Sequence, residues 1–574
     1  MSNRSFYLPA EAVEDYRSLL QILRHAAKTY PGDVAYAQFE GRNDLSEITF
    51  SQVERDVDRL RAALIARGAK GRHVAIMGET SAQWIEVYLA LTAGVGVAVP
   101  IDRELPPETI ATQLDFADAQ TVFCSEKCLR KLSKVFELGC GVKTVVVMRS
   151  GDASKAAFCE NAVTMAALLE EGGKLLDEKG ADALPEKVDP DETAVIIYTS
   201  GTTGANKGVM LSNRNIMGTL RGCARLLHFP KTSFSVLPVN HSYELHAHLM
   251  SCLYCGTKVY INDDLKHLVK NIERFRPEMS CMVPVMLELV VKKIKKGIDE
   301  ANGRKRFRLA GLASNAARHV GIDLRGKLFG KILEPFGGNL KMIICGGAAL
   351  SQETIDFMDT IGVRVFNGYG ITECSPVAAV NGFEGSRKFS VGHLLPTMEV
   401  RIADPDADGI GEIQLRGDNV MQGYYKAPED NEKVFTEDGW FRTGDLGYAD
   451  KNNFLFLRGR LKNLIILPNG KNVSPEELET ALREQIPYIK ECVVYADSMN
   501  TGIYALIYIE PEFCREHLLI DPVEMKAFME KDIDAFNSKM PGFKRLTAYD
   551  VTVQEFAKNT THKIQRFKID ALRK

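Results

Sequence analysis

Thirteen residues from Ile196 to Gly208 hold the densest set of groups able to do chemistry in this chain. Thr199, Ser200, Thr202 and Thr203 offer hydroxyl donors, and Gly201, Gly204 and Gly208 let backbone N–H groups crowd round an oxyanion. Lys207 adds a mobile point charge suited to a polyphosphate. A polar strand-to-helix turn would have a similar composition. A Walker A loop needs glycine just before its lysine and a hydroxyl just after it. Asn206 and Gly208 occupy those places, so the run is not a Walker A loop, and a polar turn and a phosphate cradle of another kind both stay open.

Further groups lie downstream. Asn367, Gly368, Tyr369, Gly370, Thr372 and Glu373 combine turn formers with an aromatic face, a hydroxyl and a hard carboxylate ligand. Taken alone they suit a loop entering a helix. Gly346, Gly347 and Ala348 follow a strand-like run, Lys341 to Cys345, where small residues permit close approach. Trp440 to Gly447, with Asp445 inside it, reads as a hairpin turn. His241 sits in Leu237 to Tyr243, and a lone histidine is more often structural than functional. Pro468 to Val473, with Gly470, reads as a turn before a helix, and Lys563 as a solvated lysine in a basic tail.

In this order and at these separations, over about residues 190–570, the motifs resemble those of the adenylate-forming superfamily of acyl-CoA synthetases, luciferases and peptide-synthetase adenylation domains. The wording of Gly459 to Glu479 and of Leu340 to Leu350 is most similar to bacterial long-chain acyl-CoA synthetases. The resemblance implies that a carboxylate attacks the α-phosphate of ATP to give acyl-AMP and pyrophosphate, after which a thiol takes the acyl group. It implies phosphate contacts from Thr199, Ser200, Gly201, Thr202, Thr203, Gly204 and Lys207. Tyr369, with Asn367 and Gly368, is placed against the adenine, Gly347 and Ala348 pass the adenine and acyl group, and Asp445 and Arg460 hold the ribose. The implied catalytic set is Thr372, Glu373 as the Mg²⁺ ligand, His241 at the acyl pocket, and Lys563 on the acyl carboxylate and phosphate. Lys462 falls at the family's hinge, and the Gly470 loop at its pantetheine tunnel. Asn206 stands where proline is usual and His562 where glycine is common.

The acyl segment shows no carboxylate placed to grip an ammonium group, which favours an uncharged acyl chain, and the resemblance implies a medium- or long-chain fatty acid. Coenzyme A is the expected acceptor, and the phosphopantetheine of an acyl carrier protein is the alternative. A luciferase-like oxygenase would share the ATP motifs.

The elements that must position these residues can also be read. Thr49 and Gln52 predict a capped helix over 49–67, with Val53, Val57, Leu60 and Leu64 on one face and Gly68 at its end. Strand-like runs at Val74–Met77, Val95–Val99, Thr121–Cys124 and Val145–Met148 alternate with helical ones, the rhythm of parallel α/β units. The expected fold class is therefore α/β: a large domain with packed sheets over 1–460, and a small mobile α+β domain over 461–574. In the small domain, helices are expected near Pro475–Glu484 and Asp521–Ser538, and strands near Val493–Ala496 and Tyr504–Ile509.

Of 574 residues, 45% are hydrophobic and 26% charged, and the net charge of −3 gives no footprint for nucleic acid. The first 30 residues contain no apolar signal core, and the scattered cysteines suggest a reducing, cytoplasmic setting. Cys252 and Cys255 read as core. Val87–Ile101, interrupted by glycines, falls short of a membrane span. Between Lys292 and Lys331 the chain is strongly basic. Such a segment is a solvated face by default, and otherwise an attachment to the anionic inner face of a membrane or a dock for an acidic carrier protein.

Overall fold

The computed structural model describes residues 16–41, 44–149, 151–184, 187–200, 206–383, 385–468, 471–497, 500–558, 564–566 and 568–569. Gly201, Thr202, Thr203, Gly204, Gly470 and Lys563 lie outside the described residues.

Local chemistry sets the elements much as the sequence predicts. Thr49 and Gln52 close a capping box on the helix Phe50–Ala66, which buries Val53, Val57, Leu60 and Leu64. The run Val87–Ile101 divides into the end of the helix Ala82–Ala90, a wider turn at Leu91–Val95 and the strand Val97–Ile101. Gly96 makes that turn, because a Cβ there would lie 2.5 Å from the Arg72 carbonyl oxygen. Cys252 and Cys255 are buried in the short helix Ser251–Cys255.

The chain forms two compact units, one of residues 1–399 and 416–439, the other of 400–415 and 440–574. The first unit holds two sheets. In one, Thr193–Ser200, Val97–Ile101, His73–Met77, Thr121–Ser125, Thr144–Met148 and Asn161–Thr164 run parallel in that order. At the Thr193–Ser200 side, Asn206–Ser212 and then Gly423–Tyr424 are added antiparallel. Val99, Ile110, Leu114, Val122, Leu132, Val145 and Ile196 fill the space between these strands and their helices. In the other sheet, six parallel strands follow in the order Arg364–Gly370, Met342–Cys345, Met279–Met282, Thr232–Ser235, Lys258–Ile261 and Val34–Phe39. Parallel strands covered on both faces read as continuous apolar runs, which is how most of them announced themselves.

In the second unit, Phe441–Ala449 lies antiparallel between Gly411–Gly417 and Phe454–Arg460. A separate sheet of Ile489–Ala496, Ile503–Ile509 and Ala548–Thr552 packs on the helices Pro475–Gln485 and Pro522–Lys539 through Leu478, Leu482, Ile507, Met529, Ile533 and Phe536. Asp521 caps the second helix, accepting from the backbone N–H groups of Val523 and Glu524.

Candidate active site

The described residues on either side of the phosphate loop lie on paired antiparallel strands. Thr199 and Ser200 end one strand and Lys207 begins its antiparallel partner, with Thr199 opposite Lys207 and Ser200 opposite Asn206. The polar run therefore joins two strands rather than a strand and a helix. Gly208 is required there, since a Cβ would meet the Ile196 side chain at 2.8 Å.

Lys207 is held by two groups that sequence reasoning did not single out. Its Nζ lies 3.1 Å from Asp430 Oδ2 and 4.8 Å from the centroid of the Tyr424 ring. The Tyr424 hydroxyl donates to Glu373 Oε1 at 2.8 Å, so one ring connects the loop lysine to the carboxylate expected to hold Mg²⁺. Burial, and then the Glu373 carboxylate, push the Tyr424 phenol well up, which keeps it a donor. Asn431 fixes Tyr424 from behind, accepting from its N–H at 2.7 Å and donating to its carbonyl at 3.0 Å. The available signal was Gly423, Tyr424 and Tyr425 in succession, a glycine beside aromatics of the kind that marks close approach at a sheet edge.

Thr372 and Glu373 form a helical turn directly after the strand Arg364–Gly370. Asn367, Gly368 and Tyr369 belong to that strand, paired with Met342–Cys345 on one side and Val377–Val380 on the other, so the segment is not a loop entering a helix. Cys345 is opposite Asn367, which puts Gly347 and Ala348 beside the end of the same strand. Gly347 has φ +89° and both residues are exposed. The strand Thr232–Ser235 in the same sheet leads to His241 and Ser242, and the Ser242 hydroxyl donates to Thr372 Oγ1 at 3.4 Å. Tyr243 donates to the Ile344 carbonyl at 2.9 Å, tying the His241 segment to the strand before Gly347. Three carboxyl ends of parallel strands thus gather His241, Gly347, Ala348, Thr372 and Glu373, the position where open parallel sheets hold ligands.

In the second unit, Asp445 and Arg460 are opposite one another on antiparallel strands, and Arg460 Nε lies 2.9 Å from Asp445 Oδ1. Asp445 is buried on a strand rather than exposed in a hairpin turn. Thr443 helps fix it, donating from its hydroxyl to the Ile413 carbonyl at 2.6 Å while accepting from the Asp445 N–H at 3.0 Å. Lys462 follows in the turn Leu461–Asn463, and burial, then the neighbouring Arg460, hold its ammonium below the usual lysine range. Leu467 N–H donates to the Lys471 carbonyl at 3.0 Å, beside the antiparallel pair Ile465–Ile466 and Asn472–Val473.

Among the described residues no group of three or more His, Cys, Asp and Glu side chains could by itself hold a metal. The donor set suits an ion that takes one carboxylate from the protein and its remaining ligands from phosphates, the habit of Mg²⁺.

Residues 23–425 match the family described as AMP-binding enzyme, and residues 462–571 match the AMP-binding enzyme C-terminal domain. The chain is 27% identical over 522 residues to the long chain acyl-CoA synthetase 7, peroxisomal, of Arabidopsis thaliana, covering 86% of this chain and 73% of that protein. It is 28% identical over 487 residues to the long-chain-fatty-acid--CoA ligase FadD15 of Mycobacterium tuberculosis, covering 81% of this chain and 78% of that one. The fold matches the crystal structure of the anthranilate CoA ligase AuaEII in complex with anthranoyl-AMP, with a TM-score of 0.73 at 19% identity over 98% of this chain and 99% of that chain. It also matches the A domain of a carboxylic acid reductase from Segniliparus rugosus, with a TM-score of 0.75 at 19% identity over 99% and 95% of the two chains.

Proposed function

The chain belongs to the AMP-binding enzyme family, and from that premise we propose that it activates a medium- or long-chain fatty acid with ATP and transfers the acyl group to coenzyme A. An oxygen of the acid's carboxylate bonds to the α-phosphorus of ATP as the bond to the β-phosphate bridge breaks, releasing pyrophosphate. The sulfur of coenzyme A then attacks the acyl carbon, and AMP leaves with the bonding electrons.

Tyr424 carries this reading, because it joins Lys207 beside the phosphate loop to Glu373 beside Thr372 within one cluster of side chains. Thr199, Ser200 and Lys207, with Gly201, Thr202, Thr203 and Gly204, take the phosphates. Glu373 fits Mg²⁺, since one of its oxygens is already oriented by a hydroxyl donor. When bound, the ion neutralises phosphate charge. Thr372 orients the α-phosphate and the acyl carboxylate, and His241 closes the acyl end of the site. Tyr369 faces the adenine, and Asp445 with Arg460 takes the ribose.

Lys563 serves adenylation and the Gly470 loop serves thioester formation, with the chain turning at Lys462. The relatives named as CoA ligases support coenzyme A over a carrier protein as acceptor.

The test is pyrophosphate release over acids from acetate to oleate, with coenzyme A or a holo carrier protein as acceptor. Fatty-acid-dependent release, with acyl-CoA as the final product, is expected. Lys563→Ala should lower release by on the order of 10²–10³, the loss of one transition-state contact, while thiolysis of supplied acyl-AMP persists. Equal loss of both half-reactions would refute that division of roles, and no release with any acid would refute the activity.

A further inference from the structure

Three helices, Pro284–Glu300, Arg304–His319 and Arg325–Leu333, carry the basic stretch. Residues 284–333 hold twelve Lys and Arg against four Asp and Glu, in a chain whose net charge is −3. Fold packing accounts for only some of these cations. The helix Gln352–Ile361 takes the inward-facing ones: Lys295 lies 2.5 Å from Glu353, Arg318 2.7 Å from Asp359, and Arg325 3.1 Å from Asp359. Phe307 locks the middle helix in place, its ring 5.3 Å from that of Phe329 and 5.5 Å from that of Phe357.

The outward faces are different. Among the described residues, Lys305, Arg306, Arg308, Lys327 and Lys331 make no ion pair. Leu309, Leu312 and Val320 stand between them, 66%, 61% and 73% exposed. Positions 305, 309, 312, 316 and 320 fall on one stripe of a helix, so aliphatic groups and cations share a single outer face. Leu289 on the preceding helix is also exposed, on the same side as Lys292, Lys293 and Lys296.

We propose that this face docks on an anionic lipid surface, with Leu309, Leu312 and Val320 entering the headgroup boundary and Lys305 and Arg308 meeting lipid phosphates. Unpaired cations interleaved with exposed aliphatic side chains are what such a surface stabilises from two directions at once, by apolar burial and by charge. A protein partner fits less well. Protein interfaces draw their energy from aromatic anchors and make little use of Leu and Val, and this stripe has no aromatic residue on its outer face. The inference goes beyond the proposed activity, and binding is read without turnover, so either can fail alone.

The experiment is co-sedimentation of the full chain with vesicles of phosphatidylcholine alone or of phosphatidylcholine and phosphatidylglycerol in equal parts, at low and high salt. Sedimentation with the anionic vesicles, weakened by salt, is expected. Lys305→Glu with Arg308→Glu should reduce it by about tenfold or more, given the attraction each cation contributes near such a surface. Leu309→Ser with Leu312→Ser should reduce it at low salt as well. Both double variants should keep the wild-type thermal midpoint, since these side chains face solvent. Equal recovery with both vesicle types, or wild-type recovery for the charge-reversed variant, would overturn the proposal. So would background recovery with vesicles alongside charge-dependent binding to a holo acyl carrier protein, which would assign the face to a protein.

Discussion

At Glu373 the expected metal ligand is not left to swing, because the buried Tyr424 hydroxyl fixes one of its oxygens and the Met421 N–H donates to its carbonyl at 2.8 Å. Groups that orient a metal ligand are worth about 10–100-fold in metal affinity. Tyr424→Phe should therefore raise the Mg²⁺ concentration needed for half-maximal pyrophosphate release by roughly that factor, with little change in fold. An unchanged Mg²⁺ titration would mean that Tyr424 only packs. Lys207 poses the complementary question, since its partner Asp430 competes with any phosphate for the same ammonium. Lys207→Ala should raise the KM for ATP roughly 10–100-fold, the loss of one charge-assisted contact. Asp430→Asn should lower that KM or leave it within about fivefold, because a partly exposed pair contributes only ~0–1 kcal/mol. If Asp430→Asn raises KM as far as Lys207→Ala does, Asp430 is a positioning group and not a competitor.

At the scale of elements, the parts legible in the sequence were those whose signal is local. The capping box at Thr49 and the β-branched runs at 74–77 and 145–148 contain their own explanation. Met279–Met282 does not, for Met, Ser and Cys have little strand preference, and this strand exists because Thr232–Ser235 and Met342–Cys345 pair with it from far along the chain. The site shows the same division. Residue types drew attention to Lys207, and the order of the family's motifs to Thr372, Glu373 and Asp445, whereas Tyr424 reaches Lys207 only because a two-residue strand pairs Tyr424 with Val209. Asn367 to Gly370 has turn composition and is nevertheless a strand. Its small residues let the next segment cross closely, and a Cβ at Gly370 would lie 2.0 Å from the Pro376 carbonyl oxygen. Backbone cannot yield as a side-chain tip can, so Gly370→Ala should destabilise the fold by roughly 1–3 kcal/mol. It should also raise the KM for ATP, because Thr372 and Glu373 follow two and three residues later. A thermal midpoint equal to wild type would show that the strands tolerate more separation than this packing suggests.

At the scale of the whole molecule, the site rests on a polar network inside the first unit. Glu244 and His248 are fully buried, with His248 Nδ1 3.0 Å from Glu244 Oε1 and its Nε2 2.6 Å from the Ser233 hydroxyl. Ser235 also donates to Glu244, so the helical segment after Ser242 is tied to the strand Thr232–Ser235 beneath it. Burial alone would push the His248 imidazole down, and the Glu244 carboxylate outweighs it, holding the group up to about 10. A histidine whose pKa is raised on folding stabilises the fold fully below its unfolded value near 6.5, and that stabilisation is lost as pH rises through the folded value. Between these limits the contribution should fall by up to a few kcal/mol, set against the other groups that titrate in alkali. The wild-type thermal midpoint should therefore drop more steeply from pH 6.5 to pH 10 than that of His248→Gln, which keeps a neutral hydrogen-bonding group and cannot titrate. Because Ser242 bonds Thr372, the same pH rise should raise the KM for the acid before the protein unfolds, and this effect too should be missing from His248→Gln. Parallel pH curves for the two proteins would show that the pair is not what couples the core to the site.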